Sequence, residues 1–296
     1  SHTYWNSNID NKYFVSFWPE DRASQYSRLF AEDKIALSPE FSLLLSGGIE
    51  HDPFTDWEWD AAVRASWRPN ERHELWAGVS RSLRQVTRLE REGRINARTF
   101  PFGIVAVEGG PDADAERTWV YEIGYRAKPI ATFSFDVSAF YNDYGQLRSL
   151  RERIPRLEGA PFPTAHTRFP FAYGNDARGE GYGVEIAAEW RVREWWQIRA
   201  GYGYLGTRLE LERGLASAIV LAADRRLPGL FRSGGFGYDV VSRPRLEVPA
   251  AFNLGLGDDI DEVTLRDEDA APRHSAYLWN SWDLPRSVLL DAVVRY

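Results

Sequence analysis

In a series of stretches, each roughly ten residues long, every second side chain of this chain is apolar, and very short turns alternate with long polar excursions between them. In residues 118–128, Trp119, Tyr121, Ile123, Tyr125 and Ala127 share one face while Thr118, Val120, Glu122, Gly124, Arg126 and Lys128 share the other, the period of two that an extended backbone imposes. After a break at Pro129, Phe133, Phe135, Val137, Ala139 and Tyr141 alternate with Ser134, Asp136, Ser138 and Asn142, so the two stretches read as a hairpin. A second hairpin sets Val184, Ile186, Ala188 and Trp190 against Glu185 and Glu189, and Trp196, Ile198, Ala200, Tyr202 and Tyr204 against Gln197 and Arg199. Residues 27–37 with 41–51, 57–68 with 73–84, and 273–284 with 287–296 fit the same template.

A sandwich strand alternates in the same way, so the connections decide between the two. Turns near 38–40, 69–72, 129–130, 193–194 and 285–286 are tight, whereas the links at 84–116, 144–180 and 207–272 are long. Long structureless loops are uncommon in compact domains, yet transmembrane barrels carry short turns at one end and long loops at the other. The expected fold is all-β: the antiparallel up-and-down wall of a transmembrane β-barrel, with about ten strands of a larger barrel forming an open, curved sheet. It forms a single partial barrel domain over residues 1–296, with 1–23 as loop and 24–296 as strands, and with 27–37 and 287–296 as its open edges. Alternation also predicts that Tyr121, Ile123, Phe133, Phe135, Val137, Ile186, Ile198 and Val288 face lipid, while Glu122, Arg126, Asp136, Glu185, Glu189 and Arg199 face the interior.

Composition supports a wall of this kind. The 12 Trp and 14 Tyr cluster toward strand ends, as at Trp57, Trp67, Trp119, Trp190, Trp195, Trp196 and Trp282, where a membrane interface selects amphipathic rings. A mean hydropathy of −0.44 and the lack of a long apolar run exclude a helical membrane protein. The net charge of −7 argues against nucleic acid as a partner. With no cysteine there is no disulfide or thiolate chemistry, and with no methionine the chain reads as an internal piece of a longer protein.

Catalytic motifs are lacking, so no enzyme is expected. His2, His51, His73, His166 and His274 are scattered, which argues against a metal site, and no cofactor signature is present. Residues 107–110 lack the lysine and the strand-to-helix context of a phosphate loop, and Ser46 lies within a strand. The long links are the expected place of ligand contact. Arg84, Arg88 and Arg91, with Arg94, form a basic patch suited to an anion. Phe162, His166, Arg168, Phe171 and Tyr173 form an aromatic and basic group of the kind that frames pockets.

Residues 28–37 (RLFAEDKIAL), 44–51 (LLSGGIEH), 65–69 (ASWRP), 75–84 (LWAGVSRSLR), 116–125 (ERTWVYEIGY), 136–147 (DVSAFYNDYGQL), 181–189 (GYGVEIAAE), 198–205 (IRAGYGYL) and 272–284 (PRHSAYLWNSWDL) follow one another in an order and spacing that resembles the barrel of TonB-dependent outer-membrane receptors. Gln85, Val86 and Thr87 depart from that pattern, which commonly has proline and serine there. The resemblance implies a 22-stranded barrel around a plug, with roughly nine strands before this stretch and about three after it. It also implies residence in the outer membrane among its lipids, and import of a scarce small-molecule nutrient such as a ferric siderophore. Energy would come from TonB, which acts through the N-terminal plug region. Two other readings stay open: a passive porin-like channel, and a soluble all-β carbohydrate-binding protein whose apolar face a second sheet would cover.

Overall fold

The structure is a computed structural model that describes residues 2–8, 14–100, 103–159, 165–211, 263–265, 273–285 and 288–296. Strands β1 (His2–Asn8), β2 (Val15–Phe17), β3 (Asp21–Ala36), β4 (Phe41–Asp52), β5 (Asp56–Asn70) and β6 (His73–Arg84) precede one helix, α1 (Arg88–Glu92). Then come β7 (Gly93–Phe100), β8 (Gly103–Glu108), β9 (Glu116–Ile130), β10 (Phe133–Glu152), β11 (Arg156–Glu158), β12 (His166–Arg193), β13 (Trp196–Leu211), β14 (Val263–Leu265), β15 (His274–Leu284) and β16 (Val288–Arg295). The wall is one continuous sheet in the order β1-β3-β4-β5-β6-β9-β10-β12-β13-β15-β16. Every neighbouring pair along it is antiparallel, and among the described residues β1 and β16 do not pair with each other. The sheet is open, as expected.

Register carries the alternation from strand to strand. Tyr125 lies opposite Val137, which lies opposite Ile186, which lies opposite Tyr202; Ile123, Ala139, Val184 and Tyr204 form the next row. One face is therefore apolar across several strands. It is also uncovered: Ile123 is 59% exposed and Ile186 41%. No second sheet packs on it among the described residues, and an uncovered apolar face of this kind marks a lipid or partner interface. Trp57 and Trp59 at one end, and Trp67, Trp190 and Trp195 near the short turns, are exposed as well. The opposite face is polar and internally paired, with Arg126 to Asp136 at 2.7 Å and Arg199 to Glu189 at 3.5 Å.

On the polar face, aromatic rings lie against glycines of the next strand. Trp76 is opposite Gly124, Phe140 opposite Gly183 and Tyr277 opposite Gly201. A Cβ at any of these glycines would overlap the facing ring, so glycine is required here for close approach.

Three sequence expectations change. Residues 1–23 are not a loop: they carry β1, β2 and the start of β3, with His2 opposite Ser27 and Asn8 opposite Asp21. Their polar composition hides the strand, because pairing with β3 and not a buried face holds it. For the same reason the edge expected at residues 27–37 is covered by β1 at the Ser27 end. The links at 84–116 and 144–180 are not long loops. The first holds α1, β7 and β8, and the second is largely the upper parts of β10 and β12 with β11 between them. Those upper strands lose their apolar alternation because they rise beyond the apolar band and pair with each other, Glu152 opposite Phe171. In the link at 207–272, residues 212–262 and 266–272 lie outside the described residues.

Candidate functional site: a cap over one end of the wall

At the end away from the short turns, the two excursions fold into one cap. Thr87 N-caps α1 through a capping box: its Oγ1 accepts from the Glu90 N–H, and Glu90 Oε2 accepts from the Thr87 N–H at 2.8 Å. Such reciprocal capping lets so short a helix stand. β8 then runs parallel to β12, Gly103 opposite Thr167 through Glu108 opposite Ala172, and pairs on its other side with β7. Val86, Val107, Ala113 and Tyr173 close a small apolar core, packed by Phe54, Ile95 and Leu150.

The cap sits toward the polar face. Arg84 and Glu116 continue the polar alternation of β6 and β9 and lie opposite each other. Arg84 donates to Glu116 at 2.6 Å and to Glu90 at 3.0 Å, and Arg148 donates to Glu90 at 2.6 Å. Burial pushes the Glu90 carboxyl up, but the hydrogen bonds from Arg84, the Thr87 backbone and Arg148 outweigh it and hold the group below the ordinary glutamate value. Arg84 is held protonated more firmly than usual, chiefly by Glu116.

A second cluster joins β7, β8, β11 and β12. Arg168, fully buried, donates to Glu158 at 2.5 Å and to Asn96 at 3.0 Å. Arg156 bridges Glu108 at 2.8 Å and Glu158 at 2.6 Å, and Arg94 lies 3.3 Å from Glu108. Burial raises Glu158, and its bonds from Arg156 and Arg168 reverse the shift to a net lowering. Arg94 is lowered, first by burial and then by the neighbouring charge of Arg168.

The residues singled out in the sequence therefore have definite places. Arg88 is buried; it donates to the carbonyls of Pro19 and Glu20 at 2.6 and 2.8 Å and to Glu92 at 3.2 Å. Arg91 donates to the carbonyl of Ala113 at 2.5 Å. His166, Arg168, Phe171 and Tyr173 lie on β12 and are buried, while Phe162 lies outside the described residues. The structure brings Arg84, Arg88 and Arg91 onto one helix and strand end, with carboxylates and carbonyls as their partners. Arg84 keeps 40% of its side chain exposed. Sequence reasoning missed Glu90, Glu116, Arg148, Glu108 and Glu158, the carboxylates and cation that organise both clusters. Only the spacing of Thr87 and Glu90 carried a readable signal, that of a capping box.

A sequence profile described as "TonB dependent receptor-like, beta-barrel" matches residues 2–296. The chain belongs to the TonB-dependent receptor family. Among solved structures, the siderophore receptor PirA from Pseudomonas aeruginosa superposes with a TM-score of 0.55 at 13% identity, over 94% of this chain and 41% of that one. The ferric enterobactin receptor PfeA of the same organism, as a mutant, gives 0.51 at 14% identity over 93% and 40%. PirA from Acinetobacter baumannii gives 0.50 at 10% over 93% and 42%. At these identities the likeness is one of fold. No curated protein sequence matches the chain. The TonB-dependent receptor barrel described here spans about two fifths of the length of the structures it matches.

Proposed function

We propose that the protein is an outer-membrane receptor that captures a scarce nutrient, such as a ferric siderophore, at the capped mouth and imports it with energy supplied by TonB through a plug region. Membership of the family over residues 2–296 carries this reading, and the fold shared with siderophore receptors supports the nutrient class. The uncovered apolar face, bordered by Trp57, Trp59, Trp67 and Trp190, suits a bilayer with its interfaces. The polar face suits a lumen.

Ligand capture falls on the cap. Arg84 presents a partly exposed guanidinium at its rim, and Arg91 lies half-buried beside it. Arg88, His166, Arg168, Phe171 and Tyr173 act from beneath, where they hold the rim in place. The cap has its own core and two ion-pair clusters, so it is a preformed surface, which lowers the ordering cost of binding. The test is uptake of a panel of labelled ferric siderophores by cells with and without the gene, in the presence and absence of TonB. Uptake that needs both supports the reading. Uptake that persists without TonB points instead to a passive channel.

A further inference from the structure

Among the guanidinium groups on the lumen face of the wall, Arg64 has an unusual setting. Arg28 is paired with Asp60 at 2.7 Å, Arg126 with Asp136 at 2.7 Å and Arg199 with Glu189 at 3.5 Å. Arg64 has no carboxylate and no hydrogen-bond acceptor among the described residues. Its guanidinium instead lies over the ring of Trp76, 3.8 Å from the centroid. The side chain reaches the ring by crossing Gly78, its partner on β6, and Trp76 in turn packs against Gly124 of β9. Glu122, which faces Gly78 from the far side, makes no ion pair with Arg64.

Two glycines thus make room for a stack of an arginine on a tryptophan, and the stack leaves donors unused. The guanidinium is held by one face, which frees the N–H groups along its edges. The indole Nε1–H is buried and has no acceptor, although Trp76 is only 9% exposed. Buried indole N–H groups ordinarily find a partner, because leaving one unmade is unfavourable. A positive charge and an orphaned donor therefore lie together on a wall where Arg28, Arg126 and Arg199 are neutralised.

We propose that Arg64 and Trp76 form an oxyanion seat on the lumen wall, which takes the carboxylate or phosphate group of a small solute inside the barrel. The planar fork of Arg64 matches either group in two-point contact, and the buried Trp76 ring beneath it holds the fork in place. The inference rests on the reading of the polar face as a lumen, and it does not require that any particular nutrient be transported.

The test is chemical protection of Arg64 in the full-length protein in detergent, with phenylglyoxal as the probe and peptide mass spectrometry as the readout. Rates are compared in chloride, phosphate and succinate at one ionic strength. Occupancy of the seat slows modification by the factor 1 + [L]/Kd, about tenfold when the anion stands at ten times its Kd. Arg126, whose side chain is 62% exposed but neutralised by Asp136, is the internal reference and stays unprotected. Trp76→Leu removes both ring and N–H and abolishes protection; Trp76→Phe keeps the ring, serves if the leucine variant does not fold, and weakens protection. Equal rates for Arg64 in all three salts, equal slowing of Arg64 and Arg126, or full protection in Trp76→Phe would each overturn the proposal. Since no uptake is measured, a protein that transports nothing still shows the protection, and one that transports without the seat does not.

Discussion

The side-chain amide of Asn175 holds the main chain of Asp114 at both of its polar groups: Nδ2 donates to the Asp114 carbonyl at 2.8 Å, and Oδ1 accepts from the Asp114 N–H at 2.7 Å. The same Nδ2 donates to the carbonyl of Gln146 at 2.7 Å. Gln146 has φ 55 and lies in the β10 bulge where the register with β12 shifts between Tyr144 and Leu147. One side chain thus ties the segment before β9 to the bulged part of the wall. Asn175→Ala removes three hydrogen bonds at about 1 kcal/mol each. Amide exchange at residues 113–115 and 146 should quicken, with the wall strands below the cap unchanged; unaltered exchange would mean that the cap is held elsewhere.

The two faces of the wall predict opposite tolerance to charge. Ile123→Arg places a cation on the exposed apolar face; if that face meets lipid near the midplane, the change should cost about 2 to 4 kcal/mol. Glu122→Arg on the neighbouring residue should cost far less. Folding titrations of the full-length protein in lipid vesicles measure both, and equal costs would contradict the assignment of faces.

Gly124→Val forces a side chain into the space taken by the Trp76 ring. Overpacking of this kind typically costs 1 to 3 kcal/mol, and it should also lift Trp76 away from Arg64. Gly78→Ala, where the added Cβ meets Arg64 Cβ and Cγ no closer than 3.7 Å and the Val63 carbonyl at 3.4 Å, should be milder. Thermal unfolding of the two variants in detergent ranks them.

The cap should loosen in acid. Glu90 and Glu158 have pKa values lowered below the ordinary 4.5 by their arginine partners, after burial has pushed them the other way. A lowered folded-state pKa gives stability that is complete above the unfolded value and is lost as pH falls through the folded one. Exchange protection of α1 and β8 should accordingly be the same at pH 7 and pH 5.5, once corrected for intrinsic rates, and should fall below pH 4.5. Loss of protection already at pH 6 would assign the control to another group.

Thr87→Ala removes the side chain that caps α1 and should destabilise it by about 1 kcal/mol. Thr87→Ser should restore it. The readout is exchange at Glu90 and Arg91.

The wall was legible in the sequence because its strands bury nothing laterally; each residue's face follows from its own position in an alternating row, as Ile123 and Glu122 show. Strand-end tryptophans such as Trp57 and Trp190 were legible for the same reason. The cap was not. Arg168 is fully buried only because Glu158, Glu108 and Asn96, from three other strands, surround it, and no local pattern announces such partners. Gln85, Val86 and Thr87, which depart from the family pattern, are where the wall ends and the cap begins: Gln85 bonds Thr55 and Glu50, Val86 enters the apolar core, and Thr87 starts the helix. The pairing of Trp76 with Gly124 depends on a register that only the neighbouring strand fixes.

The parallel ladder between β8 and β12 sets an order of events. Each antiparallel hairpin of the wall can zip as soon as its second arm is made, since a short turn holds the arms together. β8 cannot: its partner residues at Thr167 to Ala172 come only after β9, β10 and β11 have passed, so a large loop must close before that ladder forms. The ladder that closes the cap therefore forms late in assembly, after the segment following Arg84 has already made its contacts with β2, Pro19, Glu20 and Glu50 and β7 has paired with β8.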